Sequence, residues 1–172
     1  DTAEATKYTD CNDWKNKNGY TNKHAALLWP QVKVGTKQYA YSAIFGALTA
    51  YTDASNDDVP NLSPSNKLIG ITGLCLEDGT EVTLDQPQAN LLNGQGIITA
   101  INDSGWKSWG NNTACYPANT DPKDRWFSVR RFLSWAANSF ILTYFSKVDS
   151  PANKRLIEAI VDSENVRGNG FV

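Results

Sequence analysis

The ten residues Ala25–Val34 (AALLWPQVKV) constrain the fold more than any other stretch of this chain. The apolar run is unbroken through Trp29, where a half-exposed strand would alternate apolar and polar residues. Such a run is expected of a strand covered on both faces, as in a parallel sheet flanked by helices. Pro30 has no N–H to give to a ladder, so it is expected at the edge or end of the strand. A helix is predicted next, over Tyr39–Tyr51, where Ala40, Ala43, Ile44, Ala47, Leu48 and Tyr51 recur at three- and four-residue steps. Its small residues suit close packing on a sheet. Strand followed by helix, repeated, indicates an α/β layer.

The rest of the chain supplies the repetition. Residues 1–23 are polar, with Trp14 and Tyr20 expected to anchor a helical turn. Residues 52–66 are rich in Asp, Asn, Ser and Pro and read as a loop. Lys67–Leu74 (KLIGITGL) is a strand candidate, and Asp78-Gly79 predicts a hairpin turn joining Gly73–Leu76 to Thr80–Leu84. A short helix is expected over Pro87–Asn93, a strand over Gly96–Ile101, a turn over Asn102–Gly105 and a partner strand over Trp106–Trp109. Beyond the loop 111–122, one long helix is expected over Asp124–Lys147. Ser150-Pro151 reads as an N-cap and first helical position for a helix over Ala152–Glu164. Arg167-Gly168-Asn169-Gly170 reads as a turn into a strand at Phe171-Val172 that is cut short.

Charge and chemistry exclude more than they suggest. Sixteen basic residues against 18 acidic give a net charge of −2, which argues against a nucleic-acid partner. The longest apolar run, Phe132–Phe145, is interrupted by polar residues and too short to span a membrane. Cys11, Cys75, Cys115 and the single His24 match no zinc spacing, so neither a metal nor a cofactor is expected. An odd, sparse set of cysteines fits a reducing compartment better than a disulfide scaffold. Ser104 and Lys107 have the S-x-x-K spacing of serine–lysine acyl transferases, but the accompanying S-D-N and K-T-G motifs are absent. Gly94-Gln95-Gly96 precedes a strand, whereas a dinucleotide fingerprint must follow one. No catalytic residues are assigned, and no enzyme is expected. Six tryptophans leave a glycan-binding module as one alternative, and a degenerate serine hydrolase as another. Arg125, Arg130 and Arg131 form a basic cluster that reads either as a helix face with local ion pairs or as a contact to a neighbouring subunit.

One pattern is more specific than any of these. Gly96-Ile97, followed by Gly105-Trp106-Lys107-Ser108-Trp109-Gly110-Asn111-Asn112-Thr113, resembles the signature of contractile phage tail sheath proteins, roughly G-I, a gap, then G-(W/F)-R-x-W-G-N-R-T. Lys107 and Asn112 stand where the family often has arginine. Val129-Arg130-Arg131 is similar to the family's apolar residue followed by two arginines, and AALLWP to the strand before its Ala-rich helix. Gly70-Ile71-Thr72-Gly73 and Gln88–Asn93 fall between them in the family's order, so the likeness covers most of residues 7–172.

The resemblance implies a fold and a role. Residues 1–104 would be the second half of a non-catalytic, subtilisin-like α/β sandwich, and 105–172 an incomplete, small α/β C-terminal domain with a long helix. The signature residues Gly105, Trp106, Trp109, Gly110, Asn111, Thr113, Arg130 and Arg131 would be structural. The role would be mechanical, as a sheath subunit of a phage, prophage or phage-tail-like bacteriocin. Its partners would be other copies of itself, the inner tail tube, the baseplate and the tail terminator. It would reside in the virion tail after assembly in the host cytoplasm. A start at Asp1 and the absence of methionine are expected of a fragment or processed product, and such a fragment is expected to be monomeric or weakly associating.

Overall fold

The computed structural model describes residues 4–171. Its elements, in chain order, are α1 (Cys11–Lys17), β1 (Leu27–Leu28), β2 (Gln31–Val34), β3 (Lys37–Tyr39), α2 (Tyr41–Ala54), β4 (Gly73–Cys75), β5 (Glu81–Val82), α3 (Gln86–Gly94), β6 (Ile97–Asn102), β7 (Trp106–Trp109), α4 (Pro122–Arg125), α5 (Phe127–Tyr144) and α6 (Lys154–Asn169). The strands form two sheets, ordered β1-β6-β7 and β3-β2-β4-β5. β1 runs parallel to β6, with Leu27 opposite Ile97 and Leu28 opposite Ile98. All other pairs are antiparallel. The α/β class holds.

The parallel pair explains the unbroken apolar run. Leu28 and Ile98 face one core, with Val32, Tyr41, Phe45, Ile71, Leu74 and Ala100. Leu27 and Ile97 face another, with Ala5, Cys11, Trp29, Leu92 and Ala114. Both faces are therefore covered, as the sequence predicts. Each fully buried isoleucine contributes about 2 kcal/mol.

Four elements depart from expectation. Ala25–Val34 is not one strand: it divides at the cis Trp29–Pro30 peptide into β1 and β2, which lie in different sheets. Pro30 interrupts the ladder because it has no donor. Lys67–Leu74 also divides. Residues 66–69 follow the outer edge of β7, with Asn66 N donating to Ser108 O (2.7 Å), Ser108 N to Lys67 O (3.0 Å) and Ile69 N to Trp106 O (2.9 Å). Only Gly73 onward pairs in the second sheet. The long helix is broken at Trp126, whose extended backbone bridges Asn112, and it ends in a 3₁₀ turn at Phe145–Lys147. Finally, α6 is capped by Asn153, whose side chain accepts from Leu156 N at 2.9 Å, and not by Ser150. It runs on through the expected turn to Asn169; Phe171 lies in a turn, and Val172 falls outside the described residues.

Cα packing divides the chain into two compact units, Asp1–Ala136 and Ala137–Val172. Residues 104 and 105, on either side of the expected domain boundary, lie in the turn of the β6–β7 hairpin. In the first unit lie both sheets and both cores. The second unit comprises the end of α5, the 3₁₀ turn and α6, and none of its described residues is buried.

Candidate functional site

The signature residues fall on one continuous path, from the β6–β7 hairpin to the start of α5. The hairpin turn needs Gly105, at φ +123°, where an added Cβ would lie 3.1 Å from Leu68 Cδ2. Asn102 Oδ1 accepts from Gly105 N at 3.3 Å, closing the turn. Trp106 then packs, half-buried, against the Tyr41–Phe45 core. Ser108, fully buried, shares a hydrogen bond with the Tyr41 hydroxyl at 3.0 Å, and that hydroxyl also donates to Thr99 O at 2.9 Å. Burial raises the Tyr41 phenol far above its ordinary pKa, although the bond to Ser108 opposes this.

The next residues join the hairpin to two helices. Trp109 Nε1 donates to Asn90 Oδ1 of α3 at 3.0 Å. Asn93 donates from Nδ2 to the carbonyls of Trp109 (3.0 Å) and Ile97 (2.9 Å). Gly110 has φ +130°, and its N–H donates to Ser65 Oγ at 2.9 Å. Asn111 then caps α5: its carbonyl accepts from Phe127 N (2.8 Å), its Oδ1 from Ser128 N (3.2 Å), and its Nδ2 donates to Ser128 Oγ (2.9 Å). Three of the donors or acceptors at that helix start are thus met by one residue. Thr113 Oγ1 donates to Asp124 O at 2.7 Å, and Thr113 N to Arg125 O at 2.8 Å.

Both arginines are engaged within the chain. Arg131 grips Asp53 at the end of α2 through two parallel hydrogen bonds, Nη1 to Oδ1 at 3.1 Å and Nη2 to Oδ2. Arg130 Nη1 meets Asp124 Oδ1 at 3.3 Å. Asp124 also receives Lys23 (3.2 Å) and the Asn119 amide (3.1 Å). Desolvation pushes the Asp124 pKa up, but Lys23, Arg130 and Asn119 outweigh it and hold the carboxyl below its ordinary value. Arg130 and Arg131 thus each make an ion pair within the chain. Arg125 completes the cluster, with its guanidinium 4.0 Å from the Tyr116 ring and 4.2 Å from the Trp126 ring, and Nε donating to Asn112 Oδ1 at 3.0 Å.

A further anchor escapes sequence reading. Lys15 of α1 is only 2% exposed, and its ammonium donates to Gln95 O (2.6 Å), the C-cap of α3, and to Tyr116 O. Desolvation lowers its pKa, against the opposing effect of Cys115. The neighbouring Gly96 admits no side chain, since a Cβ would lie 2.3 Å from Tyr116 O. No spacing rule links residues 15, 96 and 116; only the fold brings them together.

Ser104 is exposed on the hairpin turn at φ +54°, Lys107 pairs with Asp103 at 3.1 Å, and His24 is exposed on the turn before β1. Of the six tryptophans, Trp29 is buried and the other five are half-buried. Among the described residues, no helix is long and apolar enough to cross a membrane.

No family model matches the sequence. The tail sheath protein of Burkholderia phage BcepMu is 36% identical over 116 residues, covering 64% of this chain and 23% of that protein. The chain is related to tail sheath proteins. A putative prophage major tail sheath protein of Pseudomonas aeruginosa (strain UCBPP-PA14) is 38% identical over 91 residues, or 50% of this chain and 22% of the relative. The major tail sheath protein of Serratia phage KSP20 is 24% identical over 159 residues, or 89% and 39%. The chain thus spans well under half the length of these sheath relatives. Its fold is shared with a chain of the anti-feeding prophage baseplate (TM-score 0.69, 21% identity, 84% of this chain and 39% of that one). It is shared also with the helical sheath of the same particle in the contracted state (TM-score 0.65, 22% identity, 83% and 39%).

Proposed function

We propose that this chain is a segment of the structural subunit of a contractile tail sheath, from a phage, a prophage or a tail-like bacteriocin. On this reading, copies of the subunit polymerise around an inner tail tube, between a baseplate and a tail terminator. The polymer then rearranges to a shorter, wider lattice and drives the tube through the target envelope. The subunit works in the virion tail or tail-like particle after assembly in the host cytoplasm. The observation that carries the reading is the fold shared with a contracted helical sheath over 83% of the chain. The 36% identity to a phage tail sheath protein supports it. An open helical polymer requires heterologous contacts, one patch meeting a different patch on the next copy. The role is structural and not catalytic: the signature residues spend their polar groups on joining elements of the fold.

Negative-stain electron microscopy of the sheath polypeptide carrying this segment, expressed alone, tests the proposal. Tubes of uniform width are expected, while the segment by itself stays dispersed. Dispersed particles from the longer polypeptide across salt and protein concentration would overturn it.

A further inference from the structure

A cleft of about 480 Å³ lies at the carboxyl end of β6, where that strand enters its hairpin turn. Sites for small ligands run from about 300 to 1,000 Å³. The position follows from the chain path. Only Gln95 and Gly96 separate α3 from β6, so the helix runs back along the strand, and Asp85 and Gln86 at its start line the cleft with Asn102 and Asp103. β6 is one of the two parallel strands of the fold. In open α/β sheets, ligands bind outside the carboxyl ends of such strands.

The lining combines carbon surface with uncommitted amides. Ile101 is buried, Leu84 and Trp109 are half-buried, and all three face the cleft. Trp109 Nε1 already donates to Asn90 Oδ1 at 3.0 Å, so the indole offers the cleft its ring. The polar groups are exposed and come from three separate segments, at residue 66, at 85–86 and at 102–103. The side chains of Asn66 and Gln86 have no hydrogen-bond partner among the described residues. Asn102 accepts from Gly105 N through Oδ1 at 3.3 Å, which leaves its Nδ2 donors. Ionic ligands match this lining less well. The Lys107 ammonium is held by Asp103 at 3.1 Å, and the carboxylates of Asp85 and Asp103 oppose an anion. Among the described residues, no group of three His, Cys, Asp or Glu side chains could hold a metal ion.

We infer that this cleft binds the pyranose ring of a sugar, either free or as part of a glycan. A pyranose carries hydroxyls around its rim, each able to donate and to accept, and C–H groups on its faces. An amide also does both, so Asn66, Gln86 and Asn102 meet the rim from three sides, with the carboxylates as further acceptors. A sugar face packs on Leu84, Ile101 and the Trp109 ring, which is apolar apart from its committed N–H. The site does not depend on the sheath reading.

Two-dimensional ¹H–¹⁵N NMR of this chain tests the site. Glucose, galactose, mannose and N-acetylglucosamine are each added to about 50 mM, well above a Kd of about 5 mM. At least one is expected to shift the side-chain amide signals of Asn66, Gln86 and Asn102 and the Trp109 indole signal saturably, with the Trp14 indole signal unmoved. Two variants follow. Asn66→Gly keeps the φ of +59° accessible, and Gln86→Ala removes the second free amide. Each is expected to weaken the bound sugar about fivefold, the worth of one hydrogen bond, with the β6 backbone signals in place. No saturable shift with any of the four sugars would overturn the inference, whatever adenosine or ethylguanidinium does in the same titration. So would shifts that fall outside the cleft, or full affinity in both variants. The matching disaccharide separates the two sources: tighter binding than the single ring assigns the cleft to a glycan, and equal binding to a free sugar. Tube formation plays no part in this readout, so the sheath reading and the sugar site fail separately.

Discussion

At the residue scale, the glycines of the signature are explained by what surrounds them. Gly110 combines φ +130° with a neighbour, the Asn93 amide, whose nearest atom would lie 2.4 Å from an added Cβ, and Ile98 Cα would lie 3.3 Å away. Both the backbone and the space forbid a side chain. Gly110→Ala is therefore expected to cost about 2–3 kcal/mol, read as a lower urea midpoint. Gly46 is the control: it lies within α2 with nothing within 4 Å of its Cβ position. Gly46→Ala is expected to stabilise by about 0.5–1 kcal/mol through helix propensity. Equal effects of the two substitutions would contradict this account. The signature's asparagine is also explained: Asn111 offers a carbonyl, an amide oxygen and an amide nitrogen to one helix start, and no other residue type matches all three at that length.

At the element scale, helices with local start signals were legible, and those started by distant residues were not. α3 was expected over Pro87–Asn93 and is observed over Gln86–Gly94. Its start is a capping box, in which Asp85 Oδ1 accepts from Gln88 N (2.8 Å) and Gln88 Oε1 from Asp85 N (3.1 Å). Asp85→Ala is expected to cost about 1 kcal/mol and to raise exchange in the first turn of α3 before that in β6; a uniform loss of protection would speak against a local cap. α5, in contrast, is started by Asn111, which lies 17 residues from Ser128. Periodicity alone could not show that Trp126 is extended, because the bridge to Asn112 overrides the helical pattern locally. For α6, the Ser-Pro pair gave a plausible start, but Asn153 lies closer to the apolar stripe and supplies the cap instead.

At the scale of the whole molecule, burial stops early. No described residue after Ser128 is buried, while Leu142, Phe145 and Val166 are each more than 70% exposed. Ending the chain after Ala136 is therefore expected to change the unfolding free energy of the first unit by no more than about 1 kcal/mol, as for other losses of exposed structure. Denaturant titration of the shortened chain checks this, and a loss of cooperative unfolding would show that both units form one core. By itself the sequence determined the α/β class, the α2 and α3 helices, the β6–β7 hairpin with its turn and the likeness to sheath proteins, because each rests on spacing within a few residues. Only the tertiary structure decided that Ala25–Val34 serves two sheets, that residues 66–69 edge β7, that Lys15 closes α3, and that Arg131 belongs to Asp53. Those partners lie tens of positions apart in the chain, 78 for Arg131 with Asp53 and 101 for Lys15 with Tyr116. Side-chain pairing over such separations follows the packing of the core, which no local pattern encodes.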